Sequence, residues 1–165
     1  IGDGRLRFSV YAELTNVTNE ECDDGFRVTL IFEGDLSMYV EVTTSNFIEL
    51  PRWYILGENG SAVINDWDLN GEIVKVSDWE HRDAVPILAG VGLTKTMAPR
   101  ADDTIKHYPL PKVDSSWTQF YENVFAALRG EEEQLITHDQ QRRLLKLVDA
   151  IFESGNENKV VFFDK

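Results

Sequence analysis

Cysteine is almost missing from this 165-residue sequence, which has Cys22 and no other. One thiol excludes an internal disulfide and fits a reducing, cytoplasmic setting. Cys22 is also poorly placed as a nucleophile, because Glu20, Glu21, Asp23 and Asp24 around it disfavour the thiolate that would have to attack. No apolar run is long enough to span a bilayer, so no membrane insertion is expected. Cationic residues are scarce, with 16 Lys and Arg against 29 Asp and Glu and a formal net charge of −13. That surface repels a nucleic-acid backbone or an anionic lipid, and its simplest use is solubility. An initiator Met is also lacking. A chain that opens on Ile1 reads as a fragment or processed product, so the missing signal peptide carries little weight.

Catalytic constellations are lacking too. His81, in "DWEHRD" between Asp78 and Asp83, has no second His or Cys to complete a metal set and reads as a solvated loop residue, as does His107. His138 follows Thr137 at the start of a helical pattern. Ser115 and Ser116 have no Gly-x-Ser-x-Gly elbow and read as helix caps. Glu131, Glu132 and Glu133 repel one another on a linker, which suits solvent exposure better than acid–base pairing.

What is present is order of two kinds. Phe26, Val28, Leu30 and Phe32 alternate with Arg27, Thr29 and Ile31, and after "EGD" Leu36, Met38, Val40 and Val42 alternate with Ser37, Tyr39, Glu41 and Thr43. A period of two on both sides of a turn predicts an antiparallel hairpin. Further strands are expected at Val10–Thr15, Trp53–Leu56, Ala62–Asn65 and Glu72–Val76, with Asn70-Gly71 turning between the last two. In "ILGENGSAVI" the glycines of Gly57-x-x-Gly60 mimic half of a phosphate loop. However, the residues after them read as a strand rather than a helix, and Asn59-Gly60 is the preferred type I′ pair, so a hairpin is predicted. Between Asp78 and Lys112 no period holds, and a docking arm or covering flap is expected.

The last third is helical. Ser116-x-x-Gln119 opens a stripe of Trp117, Phe120, Tyr121, Val124, Phe125 and Leu128 that Gly130 ends. Thr137-x-x-Gln140 opens a second, with Leu144, Leu147, Val148, Ile151 and Phe152, which Gly155 is expected to stop. "KVVFF" closes the chain as a strand. One domain is expected from the length. Its class is α+β, an open, mainly antiparallel sheet with helices on one face. If Phe26, Val28, Leu30 and Val40 face the helices, the other face carries Tyr11, Arg27, Thr29, Ile31, Tyr39, Glu41 and Thr43. Its mixed character suits either a subunit interface or a wet sheet face.

"SVYAEL", "ILGENGSAVI" and above all "FYENVFAALRGEEEQLITHDQQRRLLKLVDAIFESGNENKVVFF" together resemble the C-terminal domain of the Gfo/Idh/MocA oxidoreductases, the family of glucose-fructose oxidoreductase and inositol dehydrogenase. The resemblance implies an NAD(P)-dependent enzyme acting on a sugar, cyclitol or related polyol. Its N-terminal Rossmann domain, in the same polypeptide, would hold the NAD or NADP. The C-terminal domain would supply substrate wall and subunit contacts, with a homo-oligomer formed through the sheet face. The family's Glu-Lys-Pro lysine and its acid and His catalytic motif have no counterpart here. No catalytic and no cofactor residue is therefore carried over, no cofactor is expected on this chain, and it is expected to be inactive alone. By position, Asn46, Phe47 and Glu49 are candidates to line a substrate pocket, against an ordinary connecting role. Two rivals stand beside this reading: a free-standing dimerisation module, and a small-molecule-binding domain with a cavity between sheet and final helix, neither enzymatic.

Overall fold

The structure, a computed structural model, describes residues 7–80, 86–88, 91, 93–95, 102–113 and 116–163. His81 and Ser115 lie outside them. The chain forms two compact units, one of Ile1–Phe47 with Ser115–Lys165 and one of Ile48–Asp114.

In the first unit, strands β1 (Phe8–Thr15), β2 (Gly25–Phe32) and β3 (Ser37–Thr43) make an antiparallel meander. The last strand, β10 (Val161–Phe163), returns to the free side of β1, so the order is β10-β1-β2-β3. Register sets Ala12 opposite Val28 and Val28 opposite Val40, with Val10 opposite Leu30 and Phe8 opposite Phe32. Since side chains alternate strictly, those residues share one face, and helix α2 (His138–Glu157) lays Leu147, Ala150 and Ile151 on it. Val10 and Val28 are sealed, and burying each contributes about 1.5–3 kcal/mol. The ring of Phe8 stacks on Phe163 and tilts against Phe32, both at 4.7 Å between centroids.

Thr137 starts α2 with a complete capping box: its hydroxyl accepts the Gln140 amide at 3.3 Å, and the Gln140 side chain accepts the Thr137 amide at 2.8 Å. Gly155 does not stop the helix. It sits inside α2 because a Cβ there would come within 2.5 Å of Leu14 Cγ, and Asn158, at φ 48°, is the left-handed terminator.

Helix α1 (Trp117–Leu128) begins at Ser116, whose hydroxyl accepts the Thr118 amide, and ends before Gly130 at φ 74°. Its orientation departs from the amphipathic expectation. The buried positions are Asn123 and Ala126, while Trp117, Phe120, Tyr121, Phe125 and Leu128 are exposed. Asn123 is drawn inward because its carbonyl accepts the Leu135 amide and its amide donates to the Glu133 carbonyl and the Glu132 carboxylate.

In the second unit β4 (Trp53–Gly57), β5 (Gly60–Ile64), β6 (Gly71–Val76) and β9 (Ile105–Pro109) form a second antiparallel sheet in that order. A separate pair joins β7 (Pro86–Leu88) to β8 (Leu93–Lys95). The α+β class with open antiparallel sheets is therefore what the chain has, its described strands divided between two four-stranded sheets and the β7–β8 pair. The β4–β5 hairpin forms, but its turn is Glu58-Asn59, with Gly57 opposite Gly60. Neither Asn59 nor Gly60 has positive φ, so the turn is not type I′. Gly60 is needed for another reason: a Cβ there would run into the Val74 carbonyl of β6.

Candidate functional site

Asn46, Phe47 and Glu49 lie in the connection between β3 and β4. Asn46 and Phe47 close one unit and Glu49 belongs to the other. Phe47 is fully exposed. Two concavities stand out, both in the second unit, and neither is lined by these three residues. The smaller, about 240 Å³, lies along the Gly57–Gly60 hairpin beside Lys75 and Ile105. The larger, about 420 Å³, lies between the β5–β6 turn and the strand exit Pro109–Val113.

That turn is built rather than loose. Asp66 accepts the amides of Asp68 and Asn70, both at 3.0 Å, and the Asn70 side chain at 2.7 Å. The backbone and side chain of Asn70 come first among the causes that hold the Asp66 carboxyl below its ordinary range, with the Asp68 amide and the Arg52 charge adding to them. The Arg52 guanidinium lies 3.9 Å over the Trp67 ring. Leu69, just before the Asn70-Gly71 pair expected to turn the chain, has a positive φ of 60°, and it borders the larger concavity with Asp68 and Lys112.

His107 is not on a loop. It occupies β9, and its Nδ1 lies 2.7 Å from the Glu72 carboxylate of β6. A histidine held by a carboxylate is half of a nucleophile-activating triad. The hydroxyl in its cross-strand row is Ser61, two strands away past Val74, which at strand spacing is roughly 10 Å and out of proton-transfer reach. His138 is the first residue of α2, and Ser116 caps α1. Among the described residues no three of His, Cys, Asp and Glu gather into a metal site. No helix among them is long and apolar enough to cross a membrane.

The open face of the first sheet is its most organised surface. Tyr11, Thr29 and Tyr39 form one cross-strand row, and Glu13, Arg27 and Glu41 the next, as alternation demands. Arg27 Nε donates to Glu41 at 3.1 Å, and Tyr39 donates its hydroxyl to the same carboxylate at 3.0 Å. The hydrogen bond to Glu41, followed by its charge, raises the Arg27 pKa above its ordinary value. Ile31, Tyr39 and Phe162 are more than half exposed on this face.

No protein-family model and no curated protein matches the chain, whereas solved structures do. It is similar to an NAD-binding protein from Listeria innocua, with 39% identity over 96% of this chain and 46% of that one and a TM-score of 0.81. It shares the fold of yvaA from Bacillus subtilis, described as an oxidoreductase, at 14% identity over 94% of this chain and 45% of that one, TM-score 0.69. It also shares the fold of the WlbA dehydrogenase from Bordetella pertussis, solved with NADH and UDP-GlcNAcA, at 18% identity over 94% of this chain and 38% of that one, TM-score 0.56. The chain spans about half the length of the structures it matches, or less. The structure neighbours are thus NAD-binding and oxidoreductase proteins of the Gfo/Idh/MocA type, and coverage of about 45% of their length is what a C-terminal domain of such a protein would give.

Proposed function

We propose that the chain is the substrate-side and subunit-contact domain of an NAD(P)-dependent oxidoreductase acting on a sugar, cyclitol or related polyol. A Rossmann domain of the same polypeptide would hold the nucleotide and the reacting groups. The observation that carries this reading is the 39% identity, sustained over 96% of the chain, to a protein that binds NAD and is about twice as long. Hydride chemistry belongs to the cofactor; a domain of this kind orients substrate against it and excludes water.

Asn46, Phe47 and Glu49 are proposed to contribute to the substrate wall. The exposed Phe47 ring offers an apolar surface to a sugar face, and Asn46 and Glu49 offer hydrogen-bond partners to its hydroxyls. Two copies are proposed to meet through the Tyr11–Thr29–Tyr39 face. It is aromatic, and Arg27 and Tyr39 already bond to Glu41 on its own surface, so burial would leave none of the three without a partner. The test is turnover. The complete polypeptide should oxidise a polyol with NAD(P)⁺ while these 165 residues alone should not; a complete polypeptide that fails to bind either nucleotide contradicts the reading.

A second reading, a binding module without catalysis, is favoured by the 420 Å³ concavity beside the Asp66 turn.

A further inference from the structure

Helix α1 turns the wrong side out for a helix that ends at its own core. Trp117, Phe120, Tyr121, Val124, Phe125 and Leu128 recur at the three- and four-residue spacing that puts them on one stripe. Trp117 is 89% exposed and Leu128 76%, while the opposite side buries Asn123 and Ala126. Asn123 is held in place by three hydrogen bonds to the 132–135 linker, so the stripe cannot roll inward without leaving buried polar atoms unpaired. A contiguous apolar strip of this kind on a rigid helix marks a docking surface.

Charge decides among the occupants. Glu122, Glu131, Glu132 and Glu133 lie along the helix and its exit, and Arg129 is already paired with Glu131 by two 2.8 Å bonds. A second copy docked stripe to stripe would bring two acidic margins together, and an anionic lipid surface would meet the same repulsion. Polypeptide with an apolar groove and a basic border suits the stripe. The matched structures have chain to supply one, since this sequence covers 46% of the Listeria protein.

We propose that the α1 stripe is the seat on this chain for the half of the family polypeptide that these 165 residues do not include. The inference rests on the functional reading above but adds to it a defined contact surface.

The test replaces Cys22→Ser and then places one thiol at a time on α1, by Phe125→Cys or Leu128→Cys on the stripe and Gln119→Cys off it. Maleimide labelling is timed in the 165-residue chain and in the complete polypeptide, and NADH binding by the complete polypeptide is titrated alongside. We expect labelling on the stripe to slow at least about tenfold in the complete polypeptide, and labelling at Gln119→Cys to change little. Equal rates in the two forms, with NADH bound, overturn the seat and leave the family reading standing. Slowed labelling without NADH binding supports the seat and contradicts the reading. Protection already present in the 165-residue chain and rising with its concentration assigns the stripe to a second copy and overturns the proposal, as does a gene that encodes nothing beyond these residues.

Discussion

The hydroxyl of Ser154 accepts the amide hydrogen of Ala12 at 2.9 Å and donates to the Lys159 carbonyl at 2.6 Å. The β1–β10 register runs only from Phe8 to Val10, so Ala12 lies beyond the last rung, where no strand can satisfy its amide. A fully buried side chain of α2 does so instead, tying helix to sheet at the point where β10 runs out. Ser154→Ala leaves a buried donor unpaired, and chemical denaturation should show a loss of about 1–3 kcal/mol. Ser154→Thr, which keeps the hydroxyl, should lose stability only through crowding.

Gly155 gives an independent reading of the same junction. Gly155→Ala gains about 1 kcal/mol of helix propensity but drives a methyl into Leu14, and overpacking of this kind costs about 1–3 kcal/mol. A net loss is expected, and Leu14→Ala in the same chain should recover part of it. Additive losses in the double variant would show that the two residues do not compete for space.

Leu69 predicts the opposite sign. A left-handed leucine is disfavoured by roughly 1–2 kcal/mol relative to a residue that tolerates the region. Leu69→Asn should therefore raise the thermal midpoint, and a drop would mean that the partial burial of the leucine side chain outweighs the backbone term.

Acid should loosen the β1–β2 connection. The backbone amides of Thr18 and Val17, with the hydroxyls of Thr18 and Thr15, favour the Asp24 carboxylate and lower its pKa from 3.8 to about 2. Because the folded value lies below the unfolded one, the contribution is complete above about pH 4 and is lost as pH falls toward 2. Asp24→Asn should be less stable than the parent at pH 6, and the gap should narrow across that window. A gap that does not change with pH contradicts the assignment.

The sheet face predicts concentration-dependent association. Ile31→Asp sets an unpaired charge in the middle of the exposed face and should weaken self-association at least about tenfold in sedimentation experiments, with the fold unchanged. A parent chain that stays monomeric at high concentration counts against the face as a subunit contact.

The first sheet was legible because its signal is local. Strict alternation from Phe26 to Thr43 assigns each residue to a face, and the register puts Tyr11, Thr29, Ile31 and Tyr39 together on the side opposite Val28. Capping chemistry likewise located α2, since Thr137 and Gln140 satisfy each other without outside help. What stayed hidden depends on distant partners. Strand β9, "IKHYP", has too weak an alternation to declare itself and exists because β6 offers it an edge, which is also how His107 meets Glu72. Gly155 resembles a helix stop until Leu14 is seen against it, and the α1 stripe resembles core until Asn123 is found holding the other side. For Asn46, Phe47 and Glu49, the sequence supplied a position in the chain and the structure an exposed connection between two units.

The division of labour at the centre of this account is tested most directly by titrating NADH into the purified 165-residue chain and into the complete polypeptide, following protein fluorescence or heat. Saturable binding by the complete polypeptide and none by the 165 residues is the predicted result. Saturable binding of NADH by the 165-residue chain itself would place the nucleotide on these residues and contradict the account.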